Sequence, residues 1–258
     1  MNVPPGADNK AQPETVALFV SDIHLSPQMP ATAAAFFRFL EEQAPLSRQL
    51  YLLGDIFEYW AGDDDLDDPF NRQVADALLG LNERGVQLYW IAGNRDFLAA
   101  EGFARASGVT LLPDPFVAEI AGRRLLLLHG DAQCTDDSGY MAFRAQVRQP
   151  EWQRAFLARP LAERKAIIAG MREGSRDAQR GKAMAIMDVN LQAIANLFAE
   201  HGVELMIHGH THRPAEHRSE AGVRHVLPDW DCEAGSVRGG WLAMKADGSI
   251  ETMSVAGA

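Results

Sequence analysis

Five short apolar runs, each followed at once by residues able to ligate a metal, constrain this chain more than anything else in it. Val16 to Ser21, Leu50 to Leu53, Gln87 to Ala92, Arg124 to Leu128 and Glu204 to Ile207 have the length and content of buried strands. They lead into Asp22-Ile23-His24, Gly54-Asp55, Gly93-Asn94-Arg95-Asp96, His129-Gly130-Asp131 and His208-Gly209-His210-Thr211-His212. Between them lie helical patterns at Ala31 to Glu42 and Asn71 to Arg84. Strands alternating with helices predict a layered α/β architecture. In an open α/β sheet the carboxyl ends of neighbouring strands share one edge, so five dispersed motifs converge on one crevice.

Taken singly each motif has a plainer explanation. An Asp after a strand is a common helix N-cap, and Asn-Gly neighbourhoods make turns. Together they describe a metal site. Carboxylate, imidazole and amide ligands without thiolate suit a hard or borderline divalent ion such as Mn²⁺ and argue against a structural zinc cage. The number of side chains exceeds what one catalytic ion with an open position takes, but suits two ions about 3.5 to 4 Å apart with Asp55 as the candidate bridge. Such a pair activates water for phosphoester or phosphoanhydride hydrolysis, and Arg95 is placed to neutralise charge on the phosphate. Spacing alone does not choose among His208, His210 and His212.

The rest of the chain reads as follows. Arg224 to Leu227, Gly240 to Lys245 and Ser249 to Val255 look like antiparallel strands closing a second sheet. Tyr140 to about Glu200 is helical with breaks at Pro150 and Pro160, and Met187, Leu191, Ile194 and Phe198 are spaced as a core-facing stripe. The Asp residues at 63 to 65 and 67 to 68 read as turn formers and caps, not a third metal site. The formal charge is −11, which argues against a general nucleic-acid binder. Residues 138–182 nevertheless carry ten basic against four acidic side chains, a local +6 that leaves −17 elsewhere. An anion would land there. Two cysteines, Cys134 and Cys232, are too few for a disulfide framework. With no secretory signal and no membrane-spanning run, the expected location is the cytoplasm.

The motifs DxH, GD, GN, a lone His and GHxH, in that order from about Val16 to Arg213, resemble those of the calcineurin-like metallophosphoesterases. The resemblance implies a four-layer αββα sandwich with a dinuclear site at the strand ends. It assigns Asp22, His24, Asp55 and His212 to one ion, and Asp55, Asn94, His129 and His210 to the other. His208 falls outside the motif and, as the last strand residue, reads as structural or as a support behind the ligands. Most members place His after the GN dipeptide as general acid. Here Arg95 stands in that place, and a nucleotide leaving group, being less basic, needs less protonation.

Within that superfamily the stretches at 21–25, 52–65, 91–98, 127–144, 183–190 and 207–215 are similar to the UDP-2,3-diacylglucosamine hydrolases of lipid A biosynthesis. That similarity implies two Mn²⁺ ions, water attack at the α-phosphorus of an acylated UDP-sugar, and UMP and 2,3-diacylglucosamine 1-phosphate as products. Asn94 and Arg95 become catalytic, and Asn94, Arg95, Asp137, Ser175, Gln179, Lys182 and His210 bind substrate; the family commonly has Asn in place of Gln179. The implied organisation is a phosphoesterase domain over 15–258, a helical insertion over 138–200 forming a substrate cap, and a flexible extension over 1–14. Trp152, Phe156, Leu157, Ile167, Ile168 and Met171 are the candidate walls for acyl chains, with about half of them expected to pack the insertion onto the sandwich. Its basic residues suit peripheral contact with the anionic cytoplasmic face of the inner membrane. No obligate protein partner is implied. The alternatives are a soluble phosphodiesterase or nucleotide pyrophosphatase, which needs no apolar insertion, and an inactive scaffold, which would have lost ligands that are all present here.

Overall fold

The computed structural model describes residues 14–180, 188–233, 235 and 237–257, with side chains left out of account at 175–180 and 257. Two sheets form its centre. In the first, β1 (Thr15–Val20), β2 (Gln49–Leu53), β3 (Gln87–Ile91) and β4 (Val109–Leu112) run parallel and side by side, and β10 (Gly240–Lys245) and β11 (Ile250–Ser254) extend it antiparallel beyond β1. In the second, β6 (Arg123–Leu127), β7 (Leu205–His208) and β9 (Gly222–Val226) are parallel, flanked by the antiparallel edges β5 (Phe116–Ile120) and β8 (Ala215–Ser219). The C-terminal strands therefore divide between the sheets instead of closing one. Alternation shows that a strand has a buried face, but not which sheet supplies the neighbour.

The period-2 pattern sorts side chains into three apolar layers. Ala17, Phe19, Tyr51, Leu53 and Ile91 point between the sheets to meet Ile120, Leu125, Leu127 and Ile207. Leu18, Val20, Leu50, Leu52, Leu88 and Trp90 point the other way, onto α1 (Pro30–Arg38), α2 (Pro69–Glu83) and α3 (Glu101–Ser107). Leu126, Leu128 and Met206 pack under α7 (Leu191–His201) through Ile194 and Phe198. The order helix, sheet, sheet, helix is the expected sandwich. Leu191 departs from the expected stripe, for it is 73% exposed. It is the first helical residue after the Asn190 N-cap and precedes the part of α7 that reaches the sheet. Met187 lies outside the described residues.

Along the chain between β6 and β7, ahead of α7, come α4 (Ser138–Val147), α5 (Pro150–Leu157) and α6 (Leu161–Arg180). Pro150 opens α5 and Pro160 precedes α6, where a missing amide hydrogen costs nothing. Phe156 is buried against the first core, with Trp152, Ile167 and Ile168 packed beside it, whereas Leu157 and Met171 are 40% and 39% exposed. The acidic loop is what these helices grip. Arg164 reaches the Ala61 carbonyl and Asp64, and Lys165 Nζ lies 2.6 Å from Asp65. Asp63 accepts from Trp60 Nε1 and the amides of Ala100 and Gly102, while Asp68 caps α2.

Candidate metal centre

Parallel β1, β2 and β3 in one sheet and β6 and β7 in the other bring their carboxyl ends to one rim. Backbone bonds then lace the loops together. Asp22 N–H donates to the Gly54 carbonyl (3.1 Å), His24 N–H to Asp55 (3.0 Å) and Gly209 N–H to His129 (2.9 Å). Bonds also cross between the sheets, among them that from His210 N–H to Asp22 Oδ2 (2.8 Å).

The loops bend sharply to do this. Among the described residues six non-glycine positions have positive φ, and five of them are Asp22, His24, Asp55, His210 and His212, at +52° to +68°. Each such residue costs about 1–2 kcal/mol in the left-handed region. Gly54, at φ +86°, could not be replaced either, since a Cβ there would stand 2.6 Å from the Gly93 backbone and from His129 Nδ1. At Gly209 a Cβ would meet Asp22 Oδ2 at 2.2 Å. The glycines of the GD and GH dipeptides thus leave room for ligands arriving from neighbouring strands.

Two groups of donor atoms result, Asp22, His24 and His212 in one and Asp55, His129 and His210 in the other, with the atoms of each group within 4.8 Å of one another. In the outer group His24 Nε2 and His212 Nε2 face each other at 3.3 Å, and Asp22 Oδ1 lies 3.4 Å from His212 Nε2. That oxygen is buried and has no hydrogen bond. A buried, unsatisfied carboxylate oxygen among imidazole nitrogens is what a divalent cation satisfies. Burial alone would raise the Asp22 pKa, but His212, His129 and His24 together hold it well below the carboxylate range.

In the inner group His129 is fully buried. Its Nδ1 donates to the Leu53 carbonyl (2.9 Å), which aims Nε2 at Asn94 Oδ1 (3.0 Å) and Asp55 Oδ1 (3.6 Å). Burial opposes its positive charge, yet Asp55, Asp22 and Asp131 outweigh that and raise its pKa to about 9. His210 shifts the other way, down to about 4, through burial and the neighbouring His129. The residues present fit a pair of divalent ions.

The comparisons with known proteins bear directly on this rim. The calcineurin-like phosphoesterase family model matches residues 16–214. The chain belongs to that family. Within it, UDP-2,3-diacylglucosamine hydrolase from Aromatoleum aromaticum is 50% identical over 226 residues, spanning 86% of this chain and 92% of its own length. The protein of that name from Escherichia coli O81 is 49% identical over 225 residues, 86% and 93% of the two chains. This phosphoesterase is thus a member of the same branch. A solved archaeal phosphodiesterase aligns over 92% of this chain and 98% of its own at 10% identity and a TM-score of 0.48.

The remaining candidate site residues of the phosphoesterase are placed unevenly. Arg95 N–H donates to Asp55 Oδ1 (2.8 Å), and its buried Nε stands 4.0 Å from Asp55 Oδ2 without a hydrogen bond. Asp137 is the N-cap of α4, accepting from Tyr140 N–H. Ser175 and Gln179 lie on α6, where only the backbone is described, and Lys182 lies outside the described residues. His208 is buried, donating from Nδ1 to the Gly209 carbonyl and accepting from Arg224 at Nε2, which fits a structural residue.

Asp96 and Asp131 were not singled out by sequence reasoning. Asp96 is wholly buried and accepts from Gly93 N–H (2.7 Å) and Ile56 N–H (2.8 Å), tying the GD and GN loops together. Burial and the charge of Asp55 raise its pKa to about 6. Asp131 accepts from Tyr140 Oη (2.6 Å) and Arg144 Nε (2.8 Å), and the Tyr140 ring stacks on His210. Both stand inside the sequence motifs, two residues after Asn94 and His129, but the sequence assigns no role to either.

Proposed function

We propose that the chain hydrolyses the diphosphate of UDP-2,3-diacylglucosamine, giving UMP and 2,3-diacylglucosamine 1-phosphate. The observation that carries this reading is the convergence of two three-residue donor groups at one rim with Arg95 and Asn94 beside them. The strong similarity to proteins of that name supports the choice of substrate. Two divalent ions, which we take to be Mn²⁺, would supply an activated water and charge neutralisation for the phosphoryl group. Asp55 is proposed to bridge them.

The protein's own contribution is orientation. The Leu53 carbonyl behind the ring holds His129 so that its Nε2 faces Asn94 Oδ1. Arg95 is fixed through its backbone to Asp55, so its guanidinium meets the phosphoryl oxygens from the same side as the ligands. The helices α4, α5 and α6 act as a cap, whereas α7 belongs to the sandwich, and Leu157, Met171 and Phe143 are the cap's exposed apolar side chains available to acyl chains. Their basic residues suit the diphosphate and an anionic leaflet, which makes membrane attachment peripheral. No described helix is long and apolar enough to cross a membrane.

Turnover of UDP-2,3-diacylglucosamine in detergent, compared with UDP-N-acetylglucosamine and a model phosphodiester, tests the reading. Preference for the acylated substrate is expected. Preference for the water-soluble sugar nucleotide would replace it with a soluble pyrophosphatase.

A further inference from the structure

The two donor groups differ in what stands behind their imidazoles. His129 is oriented by a backbone carbonyl inside the sheet. In the outer group the same work falls to side chains. His24 Nδ1 is a buried nitrogen lacking a well-aligned hydrogen bond, and Glu58 Oε2 lies 3.0 Å from it. His212 Nδ1 lies 3.6 Å from Asp229 Oδ2. Both rings present Nε2 to the metal position, since those two nitrogens are the pair that meet at 3.3 Å.

Each carboxylate is in turn held by an arginine from a different part of the fold. Arg172 of α6 pairs with Glu58 and lies over the Tyr59 ring at 5.8 Å. Arg238 lies 3.1 Å from Asp229 and 3.3 Å from Asp231. A carboxylate behind a ligating imidazole fixes its tautomer and strengthens it as a ligand. Because Arg172 belongs to the inserted helices, their seating is transmitted through Glu58 to His24.

We propose that Glu58 and Asp229 are positioning residues for the outer metal group, and that the Arg172–Glu58–His24 chain ties that group's affinity to the docking of α6. This rests on the two-ion reading above and adds to it an inequality between the sites. The inner group, which meets the inserted helices through Tyr140 of α4, would keep its affinity whatever α6 does.

Mn²⁺ titration of the metal-depleted full chain, followed by the electron paramagnetic resonance of free Mn²⁺, tests this, with thermal melting as the check on folding. Glu58→Ala and Asp229→Ala should each weaken one of two sites by about 10–100-fold and leave the other unchanged. Glu58→Gln and Asp229→Asn, which keep an oxygen acceptor, should recover most of that loss, and Arg172→Met should weaken the same site as Glu58→Ala. Wild-type affinity in both alanine variants, equal weakening of both sites, or amide variants no better than alanine would overturn the positioning role. An unaffected Arg172→Met would overturn the link to α6. Fewer than two Mn²⁺ bound by the unmodified chain would overturn the two-ion reading itself.

Discussion

The inner and outer donor groups are built from the same residue types, one carboxylate and two imidazoles, yet one is embedded and the other sits at the mouth. His129 is wholly buried, pinned by a strand carbonyl, and His210 is stacked under Tyr140. His212, by contrast, has a side chain 42% exposed, and the carboxylate behind it, Asp229, is paired with the exposed Arg238. The difference teaches that two candidate metal sites can share a rim while being built by unlike means. Rigidity comes from the sheets on one side and from side-chain pairing on the other.

The largest test of this contrast is Asp55→Ala. Loss of the inner carboxylate, and of the acceptor that fixes the Arg95 backbone, should reduce turnover to background while the circular dichroism spectrum is retained. Arg95→Ala should come next, lowering kcat by about 10²–10³, as removal of one charge-stabilising donor does. Steady-state kinetics on the acylated substrate would show it, and Mn²⁺ stoichiometry should stay at two.

A pH dependence should separate the two groups. With no ion bound, His129 keeps its proton up to about pH 9, so a cation entering the inner group must displace it. Inner-site affinity should therefore fall by about 1.4 kcal/mol, tenfold, for each pH unit below 9. Calorimetry in buffers of different ionisation enthalpy would detect the released proton. The linkage sign for the metal-free protein is the opposite. A raised His129 pKa stabilises the fold fully below about pH 6.5, and that contribution is lost as pH rises through 9. Chelation should then lower the melting temperature most at the alkaline end. The smallest effect should be Tyr140→Phe, which removes one of two donors to buried Asp131 and should cost about 1–2 kcal/mol by urea denaturation.

Much of this rim was legible in the sequence because buried parallel strands are continuous apolar runs and their ligands follow directly. Asp22, Asp55, Asn94 and His129 each stand within three residues of a strand end. What was illegible depends on partners remote in sequence. Nothing near Asp229 announces His212, and nothing near Glu58 announces Arg172. β8 left no signal, since all five of its residues are exposed. β10 and β11 were readable as strands, but their pairing beside β1 is decided by chain geometry. Leu191 fits a helical spacing and still faces solvent, because periodicity does not say where along its length a helix meets the core.

The left-handed residues at the rim carry a further consequence. Five kinks of this sort serve no purpose in a fold that merely has to persist, and each could be relieved by a glycine or by a loop one residue longer. Selection for durability alone would favour relaxing them, and what such relaxation would forfeit is the placement of the donor atoms at the rim.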